Sequence, residues 1–406
     1  MKNVKEDAMD SKRTVEPSLE SNTSSEDFAA FGGDGAGEHA RLLETFFELV
    51  RIDSPSRHEA QVAAYCKDRL EALGFSVRID DTRASTGSDT GNLIAHLPGT
   101  VTGHIALSAH MDCVSLCSGV EPIVVDGCVR SAADTVLGAD DKAGIAAIIE
   151  ALAAIIADGR PRPDITVVFT VCEELSLLGA GALEPDLFDG TVPCFVFDAN
   201  GAPGSIVLAA PFHYTLSACF IGRAAHAGVE PEAGVSAIQM AAAAIAQMQL
   251  GRIDECTTAN IGMIDGGREV NIVPDACTVS GECRSLYEDR VNAQRDRMTE
   301  ALTDAAEHFG GSVDIDWRID YPGVLFDESD PIVSKLFAAA RAADLEPKTM
   351  VSGGGADANL LGTKGAKAVT LSIGMTAFHS TDEYITVADL EGTERFIEAI
   401  VAEFAG

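Results

Sequence analysis

Four apolar runs in this chain each deliver residues able to hold a metal ion. H-I-A-L-S-A leads into His110-Met111-Asp112, D-I-T-V-V-F-T-V-C into Glu173-Glu174, and P-C-F-V-F into Asp198. A fourth run, A-V-T-L-S-I-G-M, is followed shortly by His379, and Asp140-Asp141 stands in L-G-A-D-D-K-A-G-I before an alanine-rich stretch. Imidazole together with carboxylate suits zinc, manganese or cobalt, whereas an all-oxygen set would suit calcium or magnesium. Two histidines and three carboxylates are too many for one four-coordinate ion that keeps a position open for water. They suit two ions sharing one carboxylate, each ion with its own imidazole and terminal carboxylate. Two such ions about 3.5–4 Å apart generate a hydroxide and polarise a carbonyl, so the chemistry expected is hydrolysis.

Taken singly, each group has an ordinary reading. A Glu-Glu pair after a strand opens a solvated helix, an Asp-Asp pair before a helix caps it, and a lone histidine is a surface residue. Coincidence of kind and place outweighs these readings. If the runs are strands of one sheet, their ligands all fall just beyond the carboxyl ends, where open α/β sheets bind ligands. His39, His58, His96, His104, His213 and His308 lack such partners and are read as structural. Cys113 and Cys117 flank the expected site, but two lone sulfurs do not complete a structural zinc centre.

The elements that must position these groups follow from periodicity. Residues 1–37, rich in Ser, Glu, Asp and Gly, cannot bury enough apolar surface to offset ordering and are expected to form a disordered tail. Helical patterns cover about 38–53 and 58–73, the second ending at Gly74. Buried strands are expected near 104–109, 165–172, 193–197 and 368–373, with a long Ala/Ile helix at about 141–158. This alternation predicts an α/β catalytic domain with a largely parallel sheet, split into 38–212 and 323–406. Between them, 213–322 reads as an inserted α+β domain with strands near 214–221 and 276–284 and helices near 234–249 and 288–309.

Composition narrows the partners. The chain has 406 residues, is 46% hydrophobic and carries a formal net charge of −34, which disfavours nucleic acid and anionic membranes. No stretch reaches the ~18 to 20 apolar residues of a membrane span, and the start lacks the apolar core of a signal peptide. The ten cysteines show no disulfide rhythm. A reduced, cytoplasmic protein is expected.

At this point the motifs resemble a known group. H-M-D, L-G-A-D-D-K-A-G, C-E-E, F-D-A-N and A-F-H-S-T-D-E-Y-I are similar to the five metal-site motifs of the co-catalytic zinc aminopeptidase–carboxypeptidase–aminoacylase family. The form A-D-D-K-A-G-I, with G-R-A-A-H-A-G-V-E-P-E-A-G and S-G-G-G-A-D-A-N, resembles most the peptidase T group, over about residues 40–405. The resemblance implies two zinc ions per subunit, Asp140 bridging them through a cis Asp140–Asp141 peptide, His110 and Asp198 completing one site, and Glu174 and His379 the other. It implies Asp112 orienting the His110 imidazole and Glu173 as the general base acting on a bridging hydroxide. The inserted domain would be a lid and homodimerisation module, with His226 as an oxyanion donor, in cis or from a second subunit. Asn271, Arg284, Gly354 and Asp357 would contact a short peptide, Arg284 gripping a carboxylate in bidentate fashion. An aminopeptidase acting on tripeptides is the leading expectation. A carboxypeptidase, dipeptidase or N-acyl-amino-acid deacylase could use the same machinery, and a non-catalytic peptide-binding protein is disfavoured by the intact Glu173.

Overall fold

The computed structural model describes residues 36–190 and 192–406. The chain forms two compact units, Met1–Ala40 and Arg41–Gly406. The expected tail lies outside the described residues except for Ala36 and Gly37, which open a helix. Every strand among the described residues belongs to the second unit.

The helices are α1 (Ala36–Val50), α2 (Ala60–Ala72), α3 (Arg83–Thr86), α4 (Ala139–Ala157), α5 (Leu178–Ala182), α6 (Ala237–Gln247), α7 (Glu288–Phe309), α8 (Pro331–Ala342), α9 (Ala358–Leu361) and α10 (Val387–Phe404). The composition of α4 explains its place. Its Ala and Ile side chains are buried on nearly every face, so it can only sit inside, packed on the sheet and on α10. Gly159, in the left-handed region at φ +63°, follows its end. Its first turn is irregular: the Asp140–Asp141 peptide is cis, as the resemblance implies.

The large sheet joins β1 (Ser76–Ile79), β2 (Leu93–Leu97), β3 (His104–His110), β6 (Asp164–Thr170), β7 (Val192–Ala199), β8 (Ser205–Ala210), β14 (Val324–Leu325), β15 (Lys348–Val351) and β16 (Ala366–Ser372). Its order is β1-β2-β6-β3-β7-β16-β8-β14, with β15 also on β8. The central run β6-β3-β7-β16 is parallel, and the flanks toward β2, β1 and β14 are antiparallel. Parallel strands covered on both faces need continuous apolar sequence. That is why β3 and β6 are each buried from their second residue onward.

A five-stranded antiparallel sheet comes entirely from residues 212–321. Its order is β10 (Gly251–Arg252), β11 (Thr257–Gly266), β12 (Ala276–Ser285), β9 (Phe212–Ile221), β13 (Ser312–Tyr321). Leu216, Phe220 and Val279 of its inner face pack with Met240 of α6 and Met298 and Leu302 of α7 in a separate core. On its outer side β11 is bordered, among the described strands, only by the two residues of β10, and its far end leaves Met263 and Ile264 71% and 54% exposed. A small sheet of β4 (Pro122–Val125), β5 (Cys128–Ser131) and β17 (Tyr384–Thr386) completes the strands. The architecture is mixed α/β with a mostly parallel central sheet and separate antiparallel sheets. No helix among the described residues is long and apolar enough to cross a membrane.

Candidate metal centre

The parallel strands β3, β6 and β7 end side by side, and each hands over a ligand type. His110 is the last residue of β3, Glu173 and Glu174 stand in a turn after β6, and Asp198 is the last residue but one of β7. His379 comes from the loop between β16 and β17, and Asp140 from the irregular start of α4. The structure brings all of them together. Asp140 faces both imidazoles at once: Oδ1 lies 2.9 Å from His110 Nε2 and Oδ2 lies 3.1 Å from His379 Nε2. Asp198 Oδ1 is 3.7 Å from His110 Nε2, and Glu174 Oε1 is 2.9 Å from His379 Nε2. Glu173 lies against the same cluster, its carboxylate with His110 and Asp198.

These separations fit metal ions. Ligand atoms about 2.0–2.1 Å from a shared tetrahedral ion lie roughly 3.3 Å from one another. The orientation of His110 agrees. Its Nδ1 donates to the Asp112 carbonyl at 2.9 Å, which leaves Nε2 as the nitrogen turned toward two carboxylates. Nε2 meets them either as the N–H of an imidazolium, which those carboxylates favour, or as a ligand to a cation held between them. The electrostatics agree too. Burial, with neighbouring carboxylates adding to it, pushes the Glu173 and Glu174 carboxyls up and that of Asp198 to about 7. The Asp140 and Glu174 carboxylates in turn hold His379 up, at about 10. Carboxylates crowded in a buried cleft call for added positive charge, which divalent ions supply.

The supports of this cluster were only partly expected. Asp112 does hold His110, but through its backbone carbonyl; its Oδ1 is 3.6 Å from Nδ1, too long for a hydrogen bond. Its carboxylate instead accepts the N–H groups of Glu173 and Glu174 at 2.9 and 3.2 Å and the Ser56 hydroxyl at 2.6 Å. The turn it caps is strained, with Cys172, Ser176 and Leu177 all in the left-handed region. Two further buried side chains brace it. Glu59 Oε1 accepts the Cys172 N–H, and Asn92 accepts the Val171 N–H and donates to the Gly179 carbonyl. A Cβ at Gly179 would meet the Val171 carbonyl at 2.0 Å, so this close approach needs glycine. Glu383, 2% exposed, accepts the N–H groups of Gly138 and Asp140 at 2.8 and 3.0 Å, tying the His379 loop to the Asp140 turn. Glu59, Asn92 and Glu383 carry no ligand signal in sequence, and only the position of Glu383, four residues after His379, hints at a link.

The centre opens into a cavity of 490 Å³. Its far wall carries Arg284, Gly354, Tyr321 and His213. His213, read from sequence as structural, thus lines the cavity. It donates to Glu282 through Nε2 at 2.8 Å. Glu282 also takes Nε and Nη2 of Arg284, at 3.2 and 2.8 Å, so the fork edge expected to grip a carboxylate is already engaged. Nη1 remains toward the Tyr321 hydroxyl at 3.5 Å and toward Gly354. Asp357, expected to contact substrate, does not line the cavity; it is 1% exposed and accepts the Thr170 hydroxyl. Nor do His226 and Asn271. Both are exposed at the far end of the antiparallel sheet, where Ala227 donates to the Asn271 carbonyl at 2.9 Å and His226 Nδ1 accepts the Gly228 N–H at 3.1 Å.

Comparison with known proteins agrees with this geometry. The sequence profile of peptidase family M20/M25/M40 matches residues 106–403. The chain is 40% identical over 366 residues to the uncharacterized protein YqjE of Bacillus subtilis, covering 90% of this chain and 98% of that protein. Among solved structures, the aminopeptidase PepT of Bacillus cereus superposes with a TM-score of 0.83 at 40% identity, covering 91% of this chain and 99% of that one. A tripeptidase of Staphylococcus aureus gives 0.85 at 36% identity, covering 90% and 98%. With a hydrolytic metal-ligand cluster at the carboxyl edge of its parallel strands and a profile match spanning most of its length, the chain belongs to peptidase family M20/M25/M40.

Proposed function

We propose that this protein is a two-metal aminopeptidase that releases the N-terminal residue of short peptides, chiefly tripeptides. The observation that carries the reading is Asp140, whose two oxygens each face a different imidazole beside Glu173. The names of the two similar solved structures, an aminopeptidase and a tripeptidase, support the substrate class. In this reading His110, Asp140 and Asp198 hold one ion and Asp140, Glu174 and His379 the other, with zinc the best match and manganese or cobalt also suited. When bound, the ions supply an acidified water and polarise the scissile carbonyl. Glu173 takes a proton from the attacking water and hands it to the leaving amine nitrogen. Its burial, which raises its affinity for that proton, suits the exchange. Arg284 Nη1 and the Gly354 backbone receive the far end of the peptide.

The inserted segment 213–322 serves in this proposal as lid and dimer contact. The exposed apolar end of β11 suits pairing with a second copy. His226 and Asn271 lie near that end and would reach an active site across the pair.

One observation favours a second reading. Arg284 faces the cavity, and a cation there equally suits a substrate read by its free carboxylate, as in a carboxypeptidase or deacylase. The test is hydrolysis of free and N-acetylated di-, tri- and tetrapeptides, with metal content measured on the same preparation. Free tripeptides are expected to be cleaved and blocked ones spared; faster cleavage of the blocked peptides would transfer the assignment to the second reading.

A further inference from the structure

The chain crosses between the large sheet and the antiparallel sheet twice, at Pro211 and at Pro322-Gly323. Both crossings meet one side chain. Asn359, on α9 just after the glycine loop 352–356, is 2% exposed. Its Nδ2 donates to the Pro322 carbonyl at 2.7 Å and to the Pro211 carbonyl at 3.3 Å, while its Oδ1 accepts the Ala356 N–H at 3.1 Å. Proline has no N–H, so at these two residues the backbone offers only an acceptor. A carboxamide answers this arrangement: one nitrogen carries two donors for two carbonyls, and its oxygen holds the loop.

Strand pairing flanks the crossings, Tyr321 with His213 on one side and Val324 with Ala210 on the other, and the packing between is close. A Cβ on Gly323 would meet the Phe212 ring at 2.5 Å, and one on Gly355 would meet the Tyr321 ring at 2.4 Å. The Gly355 N–H donates to the Tyr321 hydroxyl at 3.0 Å, so the second crossing is also tied to the glycine loop. Among the described residues, Asn359 is the side chain whose polar atoms hold both crossings and that loop together.

We propose that Asn359 is the pin of a hinge: it makes the two crossings turn together against the glycine loop, so that the antiparallel sheet presents Arg284 to the metal centre in one orientation. Hinges are built from such element-terminal positions. Asn359 touches neither ligands nor cavity, so it acts as a positioning residue. Its effect on turnover rests on the peptidase reading; its effect on sheet orientation does not.

The experiment places dyes on non-natural residues at the exposed positions Asp296, on α7, and Glu346, before β15, and reads single-molecule energy transfer. The parent is expected to give one narrow distance distribution, shifting when a non-hydrolysable tripeptide analogue binds. Asn359→Asp and Asn359→Leu, which cannot donate, are expected to broaden the distribution of the free protein. They should also lower kcat by about tenfold to a hundredfold with parental metal content, since misplacement by an ångström costs that much. Asn359→Gln, which keeps the carboxamide, should recover part of both effects. Parental widths and kcat values in the Asp and Leu variants, with a lower melting temperature as the sole change, would overturn the proposal. If the parent cleaves no tripeptide, the peptidase reading falls, while the widths in the free protein still decide the hinge. Should the Asp and Leu variants fail to fold, Asn359→Gln and Asn359→Ser carry the same comparison.

Discussion

Asp112 divides its work between backbone and side chain. Its carbonyl orients His110, and its carboxylate caps the amides of Glu173 and Glu174. In Asp112→Asn one oxygen becomes an NH2 group facing an N–H donor, so one cap is lost while the carbonyl stays. Turnover should fall roughly 10- to 100-fold, the usual cost of losing a support of this kind, with both metals retained. Steady-state kinetics and elemental analysis check this; metal loss in step with activity would tie the carboxylate to His110 instead. Glu173→Gln removes the proton carrier and should cost about 10²–10⁴ in kcat, again with metals bound. Activity near the parent's would remove Glu173 from its role. The clustered histidines and carboxylates were legible because all but Asp140 follow an apolar run and Asp140 precedes one, so type and place coincide in the sequence. Glu59, Asn92 and Glu383 were not, because their partners are backbone N–H groups that point inward only once the turns have formed. The engaged edge of Arg284 was hidden for a related reason: Glu282 is two residues away, and only the strand geometry brings the two side chains together.

At the level of elements, the buried parallel strands and α4 were readable because burial on both faces demands unbroken apolar sequence. β11 was not. Beyond its first three residues it is largely exposed, so no period-two pattern of burial marks it. β13 carries a plain alternation of Val313, Ile315, Trp317 and Ile319 with acidic and basic residues, so it was legible, although only two strands were expected in the inserted segment. The segment that holds β11 also holds His226. If His226 serves the oxyanion, His226→Ala should lose about 10²–10³ in turnover with metals and fold intact. Mixing that variant with Glu173→Ala tests whether a second subunit supplies it: exchange would create sites with both residues, and activity should reappear. Heterodimers that form yet stay inactive would exclude supply in trans.

For the molecule as a whole, the net charge of −34 and the carboxylates gathered at one sheet edge make bound cations a matter of stability as well as chemistry. An ion held only by the folded state stabilises it by about 2.7 kcal/mol at a hundredfold excess over its Kd. Chelation should therefore lower the melting temperature, and zinc, manganese or cobalt should restore it. Calorimetry that shows no change on complete chelation would argue against resident metals. The place of β16 has a different consequence, one that concerns biosynthesis. It comes near the end of the chain yet lies between β7 and β8 in the sheet, and the loop after it brings His379. A nascent chain that has already made β7 and β8 must keep a slot between them, with two unpaired strand edges, until residues 366–372 leave the ribosome. Such edges invite pairing with other chains. That slot should favour aggregation until the strand emerges, and a chain stalled just before it should need a chaperone that covers open sheet edges.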